Sequence, residues 1–118
     1  RARMRTIAAG SRSCKDYNTV AKAIWDCPWD VTTIISGTAP GVDIMGELYA
    51  KESGIPLIRM PADWTRYGRG AGKIRNIEMA LVADALVAVW DGVSPGTGHM
   101  IDTARAKGLK IYVQFTDS

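Results

Sequence analysis

The sequence predicts one α/β domain of the Rossmann type, with a five-stranded parallel sheet and helices on both of its faces. Three observations support this prediction. Short β-branched runs alternate with helical stretches along the whole chain, which is the pattern of successive βα units. Residues 85–90 (ALVAVW) are apolar throughout, as in a parallel strand that is buried on both faces. Glycine-bearing turns directly follow three of the predicted strands.

Turn and cap residues divide the chain into its elements. Asp16 is a suitable N-cap for a first helix that Pro28 ends, and Gly54 is a suitable C-cap for the second helix. The third helix follows a polar connection at residues 61–70, and its apolar side chains at helical spacing are Ala71, Ile74, Ile77, Ala80 and Leu81. The predicted strands are residues 5–9, 32–35, 56–60, 85–90 and 110–115, and the other predicted helices are residues 16–27, 42–53 and 97–107.

Right-handed crossovers leave two common strand orders, 3-2-1-4-5 and 2-1-3-4-5. We favour 3-2-1-4-5, because it places the glycine turns after strands 2, 1 and 4 next to one another. Successive strands are then added in one direction from strand 1 to strand 3 and in the opposite direction from strand 4 onward. Ligands of such sheets usually bind at this switch point, between strands 1 and 4. In the other order, the long connection after strand 3 would separate the turns.

Length and composition indicate one domain, residues 4–118, since 118 residues of which 47% are hydrophobic suffice for one ordinary core but not for two. Residues 1–3 precede Met4, and we interpret them as upstream sequence or a cloning remnant. Cys14 and Cys27 fit no zinc spacing and one histidine is too few for a common metal site, so we expect no metal and no cofactor. The sequence has no signal segment or membrane-length apolar run, so we expect a cytoplasmic protein without a membrane partner.

The three glycine turns predict a site for an anion, most plausibly a phosphate. They comprise residues 10–12 (GSR), 36–43 (SGTAPGVD) and 91–97 (DGVSPGT). Gly37 and Gly41 lack the Cβ that would keep a phosphate away from the backbone, and the following helices offer free N–H groups. The alternative interpretation is a set of tight βα turns whose glycines are required by geometry alone.

Side chains near these turns suit the other parts of a phosphorylated nucleoside. Arg12 and Arg75 can each bind a phosphate, or pair with a neighbouring aspartate instead. Asp43 can accept ribose hydroxyls or complement a helix dipole, Thr97 suits either a helix N-cap or a phosphate ligand, and Trp64 can stack on a base. The predicted ligand-binding residues are Gly10, Ser11, Arg12, Ser36, Gly37, Gly41, Asp43, Trp64, Arg75, Asn76, Gly96 and Thr97, and the catalytic candidates are Arg75 and His99.

Residues 59–75 form a basic segment in which five lysines or arginines accompany one carboxylate, Asp63. This segment is either a solvated loop or part of the anion site. Residues 68–73 (GRGAGK) do not complete a P-loop, since Tyr67 stands at the first glycine position and Ile74 replaces serine or threonine. The GxGxxG motif of dinucleotide-binding folds is also absent after the first strand.

Taken in order, the segments at residues 10–12 (GSR), 36–43 (SGTAPGVD), 62–64 (ADW), 71–72 (AG), 75–79 (RNIEM), 90–92 (WDG) and 96–97 (GT) resemble the SLOG superfamily, particularly its YspA-like branch. The resemblance spans nearly the whole chain. It implies a Rossmann-like fold that binds nucleotides or nucleotide-derived ligands. For some members it also implies a sensor role in bacterial and phage conflict systems, and it makes a homodimer plausible.

Two related branches offer competing functions. The lonely-guy phosphoribohydrolases, which cleave the base from a nucleoside monophosphate, carry Arg-x-x-x-Met and Gly-Thr-x-x-Glu. Arg75 and Met79 match the first motif and Gly96-Thr97 begin the second, but Met100 stands at the glutamate position. DNA-processing protein A shares the first two glycine motifs and binds single-stranded DNA. We therefore expect binding of a phosphorylated nucleoside or an ADP-ribose-type derivative without turnover, with base cleavage as the alternative and DNA binding third.

Overall fold

A computed structural model describes residues 3–116 of the chain. Residues 1 and 2 of the predicted upstream segment, and residues 117 and 118 of the predicted domain, lie outside the described part. The strands are β1 (Arg5–Gly10), β2 (Thr33–Ser36), β3 (Leu57–Arg59), β4 (Ala85–Trp90) and β5 (Lys110–Phe115). The helices are α1 (Tyr17–Asp26), α2 (Val42–Ser53), α3 (Trp64–Tyr67), α4 (Ala71–Val82) and α5 (Pro95–Ala106), with a 3₁₀ turn at Gly68–Gly70.

All five strands are parallel and form one sheet in the order β3-β2-β1-β4-β5, which confirms the predicted order. Strand β1 lies at the centre, where Ile7 pairs with Ile35 of β2 and with Leu86 of β4. The chain moves outward from β1 through β2 to β3, and then crosses back to β4 and β5. The carboxyl ends of β2, β1 and β4 are therefore adjacent, as the glycine turns require.

Alternating residues of the central strands face two separate cores. Ile7 of β1 and Leu86 of β4 face α4 and α5, where they pack with Met79 and Met100. The side chains of the opposite parity, such as Ala8, face α1 and α2. Helices cover both faces because successive side chains of the central strands point to opposite faces, and both sets are buried. The first five residues of β4 are buried, as its uninterrupted apolar sequence predicts.

The structure shows which apolar side chains of α4 face the core. Of its apolar side chains, Ile77 and Leu81 are 42% and 64% exposed, whereas Met79 and Ala80 are buried. The helix contains two apolar stripes, and the spacing alone does not reveal which one faces the core. Leu81 and Ile77 thus form an apolar stripe on the solvent face of α4.

The structure also corrects two boundaries. The predicted connection at residues 61–70 contains α3, whose N-cap Asp63 accepts a hydrogen bond from the Arg66 N–H at 3.0 Å. Helix α5 begins earlier than predicted, with Ser94 as N-cap and Pro95 as first residue, so Thr97 is not the N-cap. Proline is favoured at this first position because its missing N–H would have no helical acceptor there.

The helices of residues 3–116 are all too short to cross a lipid bilayer, and none carries a membrane-spanning apolar segment. Cys14 and Cys27 are both buried free thiols.

Candidate functional site

A cavity of about 550 Å³ opens at the carboxyl edge of the sheet, beside the end of β1. This volume suits a ligand of nucleotide size. The cavity lies where the strand order reverses between β1 and β4, and α4 and the start of α5 contribute much of its lining. Its lining residues are Ala9, Gly10, Ser11, Arg12, Ser13, Ala39, Asp43, Trp64, Arg69, Gly72, Lys73, Arg75, Asn76, Met79, Ser94, Pro95, Gly96, Thr97, His99 and Met100.

Most residues predicted from the sequence to bind ligand meet at this cavity, although they come from five separate parts of the chain. Nine of the twelve line it, namely Gly10, Ser11, Arg12, Asp43, Trp64, Arg75, Asn76, Gly96 and Thr97. The catalytic candidate His99 lines it as well. The remaining three, Ser36, Gly37 and Gly41, do not line it, and each makes contacts within the protein instead.

Ser36 and Gly37 stabilise the loop between β2 and α2. The Ser36 hydroxyl donates to the Glu47 carboxylate at 2.7 Å and accepts from the Thr38 N–H at 3.0 Å. Gly37 packs directly against the Arg75 guanidinium, because a Cβ at this position would lie 2.6 Å from its Nη1 atom. Nη1 also donates a hydrogen bond to the Gly37 carbonyl. Gly37 therefore positions Arg75, which lines the cavity, whereas Ser36 holds the loop to Glu47 of α2.

Gly41 and Gly10 allow close backbone approaches below the cavity. Gly41 adopts a positive φ of 84°, and a Cβ there would lie 2.5 Å from the Ser11 carbonyl oxygen. A Cβ on Gly10 would lie 2.1 Å from the Val89 carbonyl oxygen and 2.7 Å from the Cγ2 atom of Val42. Only glycine fits both positions. The start of α2 consequently packs against the end of β1.

Helices α2 and α5 begin beside the cavity without a side-chain N-cap; α4 also lacks one, but it continues from a 3₁₀ turn in which the Ala71 N–H donates to the Gly68 carbonyl. Helix α2 has Gly41 as its N-cap residue and α5 has Ser94, and neither makes a side-chain capping hydrogen bond. Asp43 in the first turn of α2, and Gly96 and Thr97 in that of α5, line the cavity. The first-turn N–H groups of a helix lack acceptors within the helix, and together with the helix dipole they favour an anion.

Asp43 is the only carboxylate residue in the cavity lining, and it is buried with 4% of its surface exposed. Its Oδ2 atom accepts a hydrogen bond from the Ala39 N–H at 3.2 Å. Burial raises the pKa of Asp43 to about 6, because the Ala39 N–H and the nearby Arg75 and Arg12 only partly offset the loss of solvation. Burial also lowers the pKa of Arg75, against the opposing effect of Asp43.

A hydrogen-bond chain links α4 to α5 across the cavity. Arg75 Nε donates to the Asn76 side-chain oxygen at 3.1 Å, and Asn76 Nδ2 lies 3.1 Å from His99 Nδ1. Because Asn76 Nδ2 is a donor, His99 Nδ1 acts as the acceptor and the ring proton sits on Nε2, which faces the Thr103 hydroxyl at 3.5 Å. Burial, then the charge of Lys73, lowers the pKa of His99, so the ring is neutral at neutral pH.

Three further cations surround the cavity: Arg12, Arg69 and Lys73. All three are exposed, and within residues 3–116 none forms a hydrogen bond or an ion pair. With Arg75 they give four cationic side chains against the single carboxylate of Asp43. The sequence prediction noted the basic segment but did not assign Arg69 or Lys73 to the site. The three-residue spacing between Lys73 and Asn76, which places both on one side of a helix, could have identified Lys73.

Among residues 3–116, no group of three or more His, Cys, Asp or Glu side chains is arranged to hold a metal ion. The predicted site is thus built from cations, backbone N–H groups and one carboxylate.

Comparison with known proteins identifies the family. Residues 4–67 match the YspA, cpYpsA-related SLOG family. The chain belongs to this family. The Gene 61 protein of Mycobacterium phage D29 is 33% identical over 124 residues, covering 96% of this chain and 97% of that protein. DNA processing protein A of Streptococcus pneumoniae has a similar fold, with a TM-score of 0.75 and 18% identity. The match covers 94% of this chain and 50% of that one, so the chain spans half the length of that protein.

The SLOG family match includes only those cavity-lining residues that lie within residues 4–67. It includes the first two glycine turns, up to Asp43, and also Trp64, whereas Arg75, Asn76 and the α5 residues lie beyond residue 67. At the position where the phosphoribohydrolase motif has its glutamate, this SLOG domain has Met100. Met100 lines the cavity and is 1% exposed. An apolar thioether therefore occupies the place of the expected carboxylate.

Proposed function

We propose that this SLOG domain binds a phosphorylated nucleoside, or a nucleotide-derived molecule such as an ADP-ribose-type compound, without turning it over. The observation that carries this proposal is the charge around the cavity, where four cationic side chains and two uncapped helix N-termini accompany a single carboxylate. A phosphate or diphosphate satisfies these groups together, because backbone N–H groups and arginines both favour anionic oxygens.

The remaining polar and aromatic groups suit the nucleoside part of such a ligand. Asp43 is the acceptor for ribose hydroxyls, since no other residue of the lining carries a carboxylate. Trp64 is 54% exposed at the cavity and can cover the base. Arg12 lies beside the end of β1 and supplies a charged fork for the phosphate.

Met100 supports binding without turnover, because it stands where the phosphoribohydrolase motif has its glutamate and cannot donate or accept a proton. The Nδ1 atom of His99 is engaged by Asn76. A domain that holds an intact nucleotide ligand suits a sensing or sequestering role. We expect that role to be exercised in the cytoplasm, where such nucleotides occur.

Calorimetric titration with AMP, ADP-ribose, NAD and cyclic nucleotides tests this proposal, with chromatography of every mixture for released base. We expect at least one of these compounds to bind and to be recovered intact. Replacing Arg12 by alanine should weaken that binding about tenfold or more, because a charge-assisted hydrogen bond contributes about 1.5–3 kcal/mol. Arg66→Ala is the matched control, since Arg66 is also an exposed arginine but stacks on Tyr67 outside the cavity.

Two other outcomes would replace the proposal. Base release that Arg75→Ala abolishes would favour N-glycosidic cleavage of a nucleoside monophosphate. Single-stranded DNA binding is the third candidate, and the exposed Trp64, which lines the cavity together with Arg69, favours it, as does similarity to a DNA processing protein. Length-dependent, salt-sensitive binding of oligonucleotides without affinity for mononucleotides would support that candidate.

A further inference from the structure

The solvent face of α4 carries an apolar stripe that no other part of residues 3–116 covers. Ile77 and Leu81 are 42% and 64% exposed, and Ile74 at the start of the stripe is half-buried. The opposite face of the helix already packs in the core through Met79 and Ala80. A helix on the surface of a domain ordinarily presents polar side chains at such positions.

The spacing of this stripe is that of a helix–helix seam. Ile74, Ile77 and Leu81 follow one another at intervals of three and four residues, which are the a, d and a positions of a heptad. A seam with this spacing packs against another helix by inserting its side chains between those of the partner. The chemistry of the stripe therefore indicates a helical partner and not a small molecule.

The charges beside the stripe indicate which helix that partner is. With Ile74 at an a position, Lys73 occupies the g position just before it, and Glu78 occupies the e position that follows Ile77. Neither side chain forms a hydrogen bond or ion pair within residues 3–116. When two copies of such a helix pair in parallel, the g residue of each lies beside the following e residue of the other. In a parallel pair related by a two-fold axis, Lys73 of each copy therefore lies beside the oppositely charged Glu78 of the other.

We propose that a second copy of this chain packs in parallel against α4, with Lys73 of each copy beside Glu78 of the other. The seam spans fewer than two heptads, so we expect a reversible dimer with a dissociation constant in the micromolar range. Because Lys73 also lines the cavity, pairing brings an acidic side chain of the neighbouring copy to the rim of each site. The inference rests on α4 alone and does not depend on the proposed ligand.

Sedimentation velocity over a concentration series tests the seam. We expect wild-type chain to change from monomer to dimer with increasing concentration, and Leu81→Asp to remain a monomer. Trp25→Asp is the matched control, because Trp25 is an exposed apolar residue at 80% exposure on α1, and its replacement should leave dimerisation unchanged. A wild-type chain that stays monomeric at hundreds of micromolar, or a Leu81→Asp variant that dimerises normally, overturns the proposal.

A charge exchange tests the partner and its direction. Lys73→Glu and Glu78→Lys should each weaken dimerisation at least tenfold, since each places like charges together. An equimolar mixture of the two variants should associate, because every contact then joins opposite charges again. A Leu81→Cys variant should form a disulfide-linked dimer on oxidation, because a positions meet across a parallel pair. A mixture no more associated than its components, or a Leu81→Cys variant that fails to cross-link, contradicts parallel pairing.

Discussion

Two pairs of helices begin in contrasting ways. Helices α1 and α3 start with the aspartates Asp16 and Asp63, whose side chains each accept a backbone N–H of the first turn. Helices α2 and α5 start with Gly41 and Ser94 and have no side-chain cap. Of the capped helices, α1 does not line the cavity and α3 contributes only Trp64, whereas the first turns of α2 and α5 contribute Asp43, Gly96 and Thr97.

This contrast separates stability from binding. An N-cap stabilises a helix by about 0.5–2 kcal/mol, so its omission twice at one cavity is a cost that a bound anion can offset. The contrast also explains why the βα turns differ in sequence although they connect similar elements. In a helix start that is stabilised internally, a polar side chain accepts the first-turn N–H groups, whereas a ligand-binding start leaves those N–H groups free for the ligand.

The largest effect on stability is expected from Gly10→Ala, because the added Cβ would clash with β4 and with the start of α2. The added Cβ would lie 2.1 Å from the Val89 carbonyl oxygen and 2.7 Å from Val42, the first residue of α2. Backbone must move, so we expect a loss of about 3 kcal/mol in the free energy of unfolding, measured with urea. Gly70→Ala is the control, because nothing lies within 4 Å of a Cβ there, and it should not destabilise the protein. Equal stabilities of the two variants would contradict this account.

The sequence predicts the fold well because its signals are local. The strand order follows from the positions of the glycine turns, and the cap of α1 follows from Asp16 alone. The prediction of Thr97 as the N-cap is wrong, because Ser94 and Thr97 are both suitable residue types. Pro95 decides between them, since proline is favoured at the first helical position and the residue before it is then the N-cap. For α4, two apolar stripes compete, and the choice depends on packing against α5.

The site is harder to predict, because the sequence does not reveal which residues of a motif line the cavity and which pack beneath it. Ser36, Gly37 and Gly41 belong to the same motif as Asp43, yet only Asp43 lines the cavity. The sequence identifies the loop but not the orientation of the loop residues, which depends on Arg75, 38 residues away from Gly37. Long-range contacts of this kind leave no local pattern.

A second prediction tests the contrast directly by adding a carboxylate to the second helical position of one helix from each pair. Gly96→Asp places it in the first turn of α5, where it should stabilise the protein by about 0.3–1 kcal/mol through the helix dipole. In the cavity the same carboxylate repels an anionic ligand, so binding should weaken by about 2–3 kcal/mol. Asn18→Asp in α1 is the matched variant, which should stabilise similarly and leave calorimetric affinity unchanged. If both variants affect binding equally, the helix starts do not differ in the proposed way.

The smallest effect concerns Asp43, the carboxylate of the first turn of α2. Its folded-state pKa of about 6 lies above its ordinary value of 3.8, so between these values the folded protein keeps a proton that the unfolded chain releases. Stability from this group is therefore lost as pH rises from 4 to 6, by on the order of 2 kcal/mol. The side chain introduced by Asp43→Asn cannot ionise, so the variant's free energy of unfolding relative to the wild type should be higher at pH 7.5 than at pH 4, as measured by urea unfolding. A difference in stability that does not change with pH would mean that Asp43 ionises in the fold as readily as in the unfolded chain, and that its burial beside Arg75 costs nothing.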